Sequence, residues 1–503
     1  MPLADAVMTV LQCGVICVQE PCMSQSLAQR SISSVKWNAV SSIVQVIVGF
    51  IQTIVLARLL PIEVFGVYAA AKSVIGLTIG LPAFGMASSF LYRSEHNLDI
   101  EQSAAIHFTI KSALTVLWFA LMLGGTLLLV DPDQPDLKLA FVVITMTAAL
   151  TSMTQTPRLI LSRKVLHKRL ATLQVIDTIV TTIVTIGLAL GGVTLWALLM
   201  SDVVTTVVAI FMLYIWRPVW RPRFTWHPAG MRYFLTFGAS NVGIRLLTDA
   251  LDRLDDVWTG AFLGKTPLGF YSKAYSFAKY PSIILASPLE PVSAGMYAEV
   301  GHDRKRLSSA FFMTNALLVR SGFLLAGLLA LVAPEFIILA IGERWLPMLD
   351  AFRLMLIFTL FDPMKRTIAN MFVGVGKPRI VLHARILQLV IMGIGLFTLG
   401  PALGIAGVAL AVDIMLVIGI GYVLWRAKEF VDYSLVALMA WPGIALTIGL
   451  IGANLAFSAA APESPWISGI IKVVCFTGLY GLILLLFERQ QLMQTIKMVR
   501  KHR

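Results

Sequence analysis

The chain has 503 residues, 58% of them hydrophobic and 13% charged, with a mean hydropathy of +0.83. Soluble domains carry about 25% charged residues, so a water-facing globular protein is excluded. The net charge of +13 does not indicate nucleic acid, because Lys and Arg fall mainly in alternate connections between apolar runs rather than in a basic strip with interleaved aromatics.

In chain order, the first 34 residues form an N-terminal segment. Cys13, Cys17 and Cys22 lie in it and Cys475 lies in an apolar run; all are read as unpaired thiols, and neither a metal site nor a cofactor is expected. The apolar run 8–18 is too short to span and has no basic residues before it, so it is not a signal peptide. Met23 is the expected working start. Fourteen apolar runs of membrane-spanning length follow, at 37–60, 66–91, 104–130, 137–160, 170–190, 193–215, 233–263, 268–297, 309–332, 348–373, 380–399, 404–425, 435–457 and 466–487. Membrane helices satisfy their backbone groups internally, so the expected fold is an all-α polytopic membrane protein.

The charges between these runs orient them. Arg158, Arg163, Lys164, Lys168 and Arg169, then Arg217, Arg221, Arg223 and Arg232, then Arg304, Lys305 and Arg306 fall on one side. Lys377, Arg379, Arg426, Lys428, Arg489, Lys497, Arg500, Lys501 and Arg503 continue that side, while the other offers Arg58, Lys138, Lys265 and Arg344. The positive-inside rule then places both termini in the cytoplasm.

The chain also repeats itself. Leu60-Pro-Ile-Glu-Val-Phe-Gly66-Val-Tyr68 recurs 203 residues later as Leu263-Gly-Lys-Thr-Pro-Leu-Gly269-Phe-Tyr271, and Ser73 maps onto Ser276. Val165-Leu-His167-Lys-Arg169 pairs with Val381-Leu-His383-Ala-Arg385. Equivalent spans lie six apart, which implies two parallel six-helix lobes, 35–222 (spans 1–6) and 223–428 (spans 7–12), with the substrate path expected at their interface. Spans 13 and 14 and the tail, 429–503, stand outside the repeat.

Several of these segments carry a resemblance. Ala57-Arg-Leu-Leu60 leading into Phe65-Gly-Val-Tyr68, Arg253-Leu-Asp255-Asp256, Gly269-Phe-Tyr-Ser-Lys-Ala-Tyr275, Pro157-Arg-Leu-Ile-Leu-Ser-Arg163 and Gly192-Val-Thr-Leu-Trp-Ala197 stand in an order and spacing that resembles the polysaccharide-transport (Wzx-type flippase) family. That family belongs to the multidrug/oligosaccharidyl-lipid/polysaccharide exporter superfamily. His167 departs from the aromatic residue its members more often carry. The resemblance implies a flippase for polyprenyl-diphosphate-linked oligosaccharide, used in exopolysaccharide, O-antigen or capsule synthesis at a bacterial inner membrane. Its partners would be the lipid-linked substrate, membrane lipids and a polysaccharide polymerase or export machinery.

Ionisable residues inside spans mark candidate sites, since each is costly to bury in lipid. Span 7 holds Arg245, Asp249, Asp252, Arg253, Asp255 and Asp256, and the i, i+4, i+7, i+11 spacing of positions 245, 249, 252 and 256 puts them on one helical face. The carboxylates Asp249, Asp252, Asp255 and Asp256, with Asp177 in span 5, are candidates for carrying a coupling ion; for the span 7 cluster, an interlobe ion-pair network that only holds the lobes together is the alternative. Lys72, Arg245, Arg253, Lys273, Lys279 and Arg320 form a cationic set suited to a diphosphate, with interfacial snorkelling the alternative for Lys72 and Lys279. Lys72 and Lys273 occupy near-equivalent repeat positions, as do the lone carboxylates Asp202 and Asp413, for which a packing or capping role is favoured over carrying a coupling ion.

No catalytic residue is assigned, and an enzyme is not expected. Asp131-Pro-Asp133 matches a glycosyltransferase Asp-x-Asp pattern but reads as an acidic turn, and no phosphate-binding Gly-rich loop is present. An ion-coupled multidrug extruder and a membrane glycosyltransferase remain the rival readings.

Overall fold

The computed structural model describes residues 25–91, 99–164, 166–462 and 464–489. Met23, the N-terminal cysteines, Val165 and the basic tail residues Lys497, Arg500, Lys501 and Arg503 lie outside that set. Among the described residues every regular element is helical. In order these are α1 (Gln25–Leu59), α2 (Ile62–Thr78), α3 (Gly80–Ala83), α4 (Met86–Leu91), α5 (Ile100–Leu129), α6 (Pro135–Met153), α7 (Gln155–Arg163), α8 (His167–Leu190) and α9 (Leu195–Ile210). Then come α10 (Pro228–Leu251), α11 (Leu254–Phe262), α12 (Lys265–Val300), α13 (Arg304–Phe336), α14 (Leu349–Gly374), α15 (Pro378–Ala427), α16 (Leu435–Ala460) and α17 (Pro465–Phe487). Their starts follow from local chemistry. Pro135, Pro228, Pro378 and Pro465 lie in first turns, where no N–H is missed. Asp99, Asp303 and Ser434 accept from first-turn amides.

Among the described residues ten helical stretches are long and apolar enough to cross a membrane, and their outer faces expose residues such as Leu128, Leu129 and Val436. The protein is a multi-pass membrane protein. The expected spans 11 and 12 are one of these ten stretches, because α15 runs through a kink at Gly404. Gly404 has φ 59° and ψ −138°, a conformation closed to other residues. The limbs on either side fold back on each other, with Gly395 against Ala411 and Gly419 against Gln388. α10–α11, α12 and α14 occupy the expected spans 7, 8 and 10 and fall outside the ten.

The helices divide into two compact units, Met23–Ser272 and a second containing Lys273–Arg503. α10 and α11 therefore pack with first-half helices, α10 against α3, α4 and α5 and α11 against α2. In the first unit, Val67, Ile75, Trp118, Ile144 and Leu199 form one core, and Met86, Phe90, Ile106, Ile160 and Phe234 a second. Lipid tails are as apolar as leucine, so helix association in a membrane relies on close packing and polar ties, at about 0.6 kcal/mol per interhelical hydrogen bond. Gln52 donates to Thr185 at 2.8 Å, and the Thr151 and Thr206 hydroxyls meet at 2.7 Å.

A close backbone approach in this unit joins the two copies of the repeated motif. A Cβ on Gly66 would collide with the Lys265 carbonyl, and one on Gly269 would lie 2.5 Å from the Ile62 carbonyl. Each glycine thus meets the residue four before the other, and α2 crosses the first turn of α12 reciprocally. Both obstacles are backbone and cannot swing aside. Gly66→Ala is expected to destabilise the protein by about 1–3 kcal/mol, the usual cost of overpacking, seen as a lower unfolding midpoint in detergent; an unchanged midpoint would show that the crossing is loose.

In the second unit, Phe311, Val319, Ile368, Phe372, Leu416, Ile420 and Phe476 form the core. α16 and α17 pack on α13, and two buried ion pairs tie α13 to α17 and to Glu488 just after it. Lys472 donates to Glu335 at 2.5 Å, and Arg320 grips Glu488 with two bonds of 2.6 and 2.7 Å. Between α15 and α16, Asp432 is held by Arg304, whose hydrogen bonds and charge keep its carboxyl below its usual range. That pair is exposed and contributes little.

Candidate functional site

In the first unit, the charged stretch expected as one helix is broken. α10 ends at Leu251 and α11 begins at Leu254, with Arg253 (φ −137°) between them. The single-face reading of positions 245, 249, 252 and 256 is therefore corrected: Arg245 and Asp249 lie on α10, Asp252 is exposed at the break, and Asp255 and Asp256 open α11. The partly positive N-terminal turn of α11 suits two carboxylates. Both are buried; Tyr271 donates to Asp255 at 2.6 Å and Ser73 to Asp256 at 3.1 Å. The second Asp255 oxygen is buried without a hydrogen-bond partner.

Arg253 passes over α2 at Gly76, where a Cβ would lie 3.0 Å from its Nε. Asp249 similarly abuts Gly80 of α3 and receives a 3.0 Å hydrogen bond from the largely exposed Arg245. Small residues on α2 and α3 thus seat a charged layer on α10. Arg253 has no carboxylate partner among the described residues, and its guanidinium keeps donors for an anion. Lys72 is committed differently: it pairs with Asp202 of α9, which also accepts from Tyr68 at 2.9 Å. Asp177 on α8 accepts from Thr181 at 3.3 Å and stands apart from this layer.

In the second unit, Lys279 donates to Tyr275 at 3.3 Å and lies over its ring, while Lys273 is half-buried on the same helix. Arg320 is bound by Glu488, a partner 168 residues away, and by the Ala316 carbonyl at 2.8 Å.

Two constellations escaped the sequence reading. Lys111 of α5 is 3% exposed and within electrostatic reach of Arg245. On α14, buried Asp362 accepts from Arg366 at 2.9 Å and Ser282 at 3.0 Å and pairs with Lys365 at 3.1 Å; Arg366 also reaches Glu290 at 3.4 Å. One carboxylate therefore orients two half-exposed cations. Asp362-Pro-Met-Lys365-Arg366, with its i,i+3 and i,i+4 spacing in the middle of a span, was the visible signal. Among the described residues no His, Cys, Asp and Glu cluster could hold a metal.

A family model described as polysaccharide biosynthesis protein matches residues 55–350. The chain is 25% identical over 365 residues to the lipopolysaccharide biosynthesis protein WzxC of Escherichia coli (strain K12), covering 70% of this chain and 71% of that protein. It is 23% identical to the succinoglycan biosynthesis transport protein ExoT of Rhizobium meliloti (strain 1021), covering 63% and 64%. Among solved structures it is similar to the lipid II flippase MurJ in an inward closed conformation, with a TM-score of 0.75, 13% identity and coverage of 90% and 99%. An inward-facing multidrug resistance MATE transporter has a TM-score of 0.51 at 13% identity, covering 84% and 98%. At these identities the structural likeness concerns the fold.

Proposed function

The chain belongs to the polysaccharide biosynthesis protein family, within the polysaccharide-transport group of the multidrug/oligosaccharidyl-lipid/polysaccharide exporter superfamily, and from that premise we propose that it flips polyprenyl-diphosphate-linked oligosaccharides across a bacterial inner membrane by alternating access. The observation that carries the reading is Arg253. A guanidinium without a carboxylate partner, held at a break in a membrane helix beside the Arg245–Asp249 pair, suits a diphosphate and would repel an organic cation. Within the same unit Arg245 supplements it, while Lys72 is held by Asp202; Lys273, Lys279, Lys365 and Arg366 offer further cations within the other unit. Asp249, Asp252, Asp255 and Asp256 moderate the charge at Arg253. No enzymatic step is assigned to any residue. The termini are cytoplasmic in this reading, and a polymerase or export machinery takes the flipped product.

The test is translocation in proteoliposomes. Purified protein supplied with a fluorescent undecaprenyl-diphosphate oligosaccharide should move it between leaflets, and an unglycosylated phospholipid should stay in place. Efflux of organic cations with no movement of the sugar lipid would establish the multidrug-extruder reading instead.

A further inference from the structure

Asp413 lies in the second limb of α15, past the Gly404 kink, and is 2% exposed. Among the described residues neither of its carboxyl oxygens has a hydrogen-bond partner. Its counterpart in the first half of the chain, Asp202, is neutralised by Lys72 and bonded by Tyr68. The second half breaks this arrangement. At the 203-residue offset, Lys72 is replaced by Tyr275, which accepts from Lys279, and Tyr68 by Tyr271, which donates to Asp255.

Among the described residues the packing around Asp413 provides no substitute counter-charge. The Gly395–Ala411 and Gln388–Gly419 contacts set Asp413 opposite the stretch around Gly393. His383 and Arg385, the nearest titratable residues on the opposing limb, stand about 12 Å or more along the axis at 1.5 Å per residue. On α14, Asp362, Lys365 and Arg366 are bonded among themselves and to Ser282 and Glu290 of α12. On α13, Arg320 and Glu335 are taken by Glu488 and Lys472. An ionised carboxylate buried without partners is strongly disfavoured, whereas the protonated acid is neutral.

We propose that Asp413 is a proton-binding site, loaded when α15 is packed as seen and emptied to water when the limb opens, so that proton movement drives the transport cycle. The transport part of this proposal rests on the flippase reading; the protonation part does not.

Infrared spectroscopy of the reconstituted full chain at neutral pH should show a protonated-carboxyl stretch that is lost in Asp413→Asn and displaced in Asp413→Glu. The glutamate variant identifies the band should the asparagine variant fail to insert. The same band in wild type and both variants, or its loss on adding sodium ions, would overturn the assignment. In proteoliposomes, a pH gradient should accelerate sugar-lipid translocation by wild type and Asp413→Glu, with the acceleration lost in Asp413→Asn. An undiminished response in Asp413→Asn, or wild-type flipping indifferent to the gradient, sinks the coupling role and leaves the flippase intact. A wild type that never moves the sugar lipid refutes the flippase reading, and the infrared result still decides the protonation site.

Discussion

Replacing Arg320 with alanine is expected to destabilise the folded chain by about 3–5 kcal/mol, the range for removing one member of a buried ion pair. Glu488 is 4% exposed, and its two oxygens take the two Arg320 bonds of 2.6 and 2.7 Å. Without the guanidinium that charge would stay buried on the helix pair α16–α17, far outweighing a neutral interhelical hydrogen bond at about 0.6 kcal/mol. Tyr480, which donates to the Arg320 main-chain carbonyl at 2.7 Å, keeps its acceptor in the alanine variant, so the loss is confined to the ion pair. Glu488→Gln should also be strongly destabilising, since it leaves the buried Arg320 guanidinium without a counter-charge, although the amide oxygen can still accept one of its hydrogen bonds. The double replacement Arg320→Met with Glu488→Leu should recover most of the stability, because a well-packed apolar pair can match a buried salt bridge. Unfolding midpoints in detergent order the variants, and the sugar-lipid assay then separates two roles. Recovery of both stability and flipping in the double variant assigns Arg320 to helix packing. A stable alanine variant that no longer flips would return it to the cationic set proposed from the sequence.

How much could be read in advance depends on the range of the interaction. Membrane helices were legible because an apolar run and its flanking charges are local signals, as Asp131, Asp133 and Asp136 show at the turn between α5 and α6. The family was legible because motif order survives loose spelling. The break at Asp252–Arg253 was hidden by the regular spacing of its charges, which fits a continuous helix equally well. Pairing was hidden more deeply: Lys72 meets Asp202 and Arg320 meets Glu488 across 130 and 168 residues, and only the fold chooses between such partners. Lys111 was passed over because one lysine in an apolar run looks like a snorkelling residue until its burial is known. The Asp362 cluster is legible in the sequence, since its i,i+3 and i,i+4 spacing on α14 is local.

Arg253→Ala is expected to reduce flipping about ten- to a hundredfold or more while leaving membrane insertion intact. The size follows from one charge-assisted hydrogen bond to a diphosphate oxygen, about 1.5–3 kcal/mol, with a bidentate contact raising it further. Insertion should survive because Arg253 neutralises no carboxylate among the described residues, so its removal strands no buried charge. Here it differs from Arg320, whose loss is felt first in the fold. Arg253→Lys should recover only part of the rate, since it keeps the charge but loses the planar fork. Gly76→Leu provides a test from the opposite side. The Arg253 guanidinium lies where a side chain at 76 would grow, with its Nε 3.0 Å from the first added carbon. The arginine would be pushed away with its charge intact, and flipping should fall toward the Arg253→Ala level. Wild-type flipping by both Arg253→Ala and Gly76→Leu, each at normal membrane abundance, would remove Arg253 from the transport path and the cationic reading of the α10–α11 break with it.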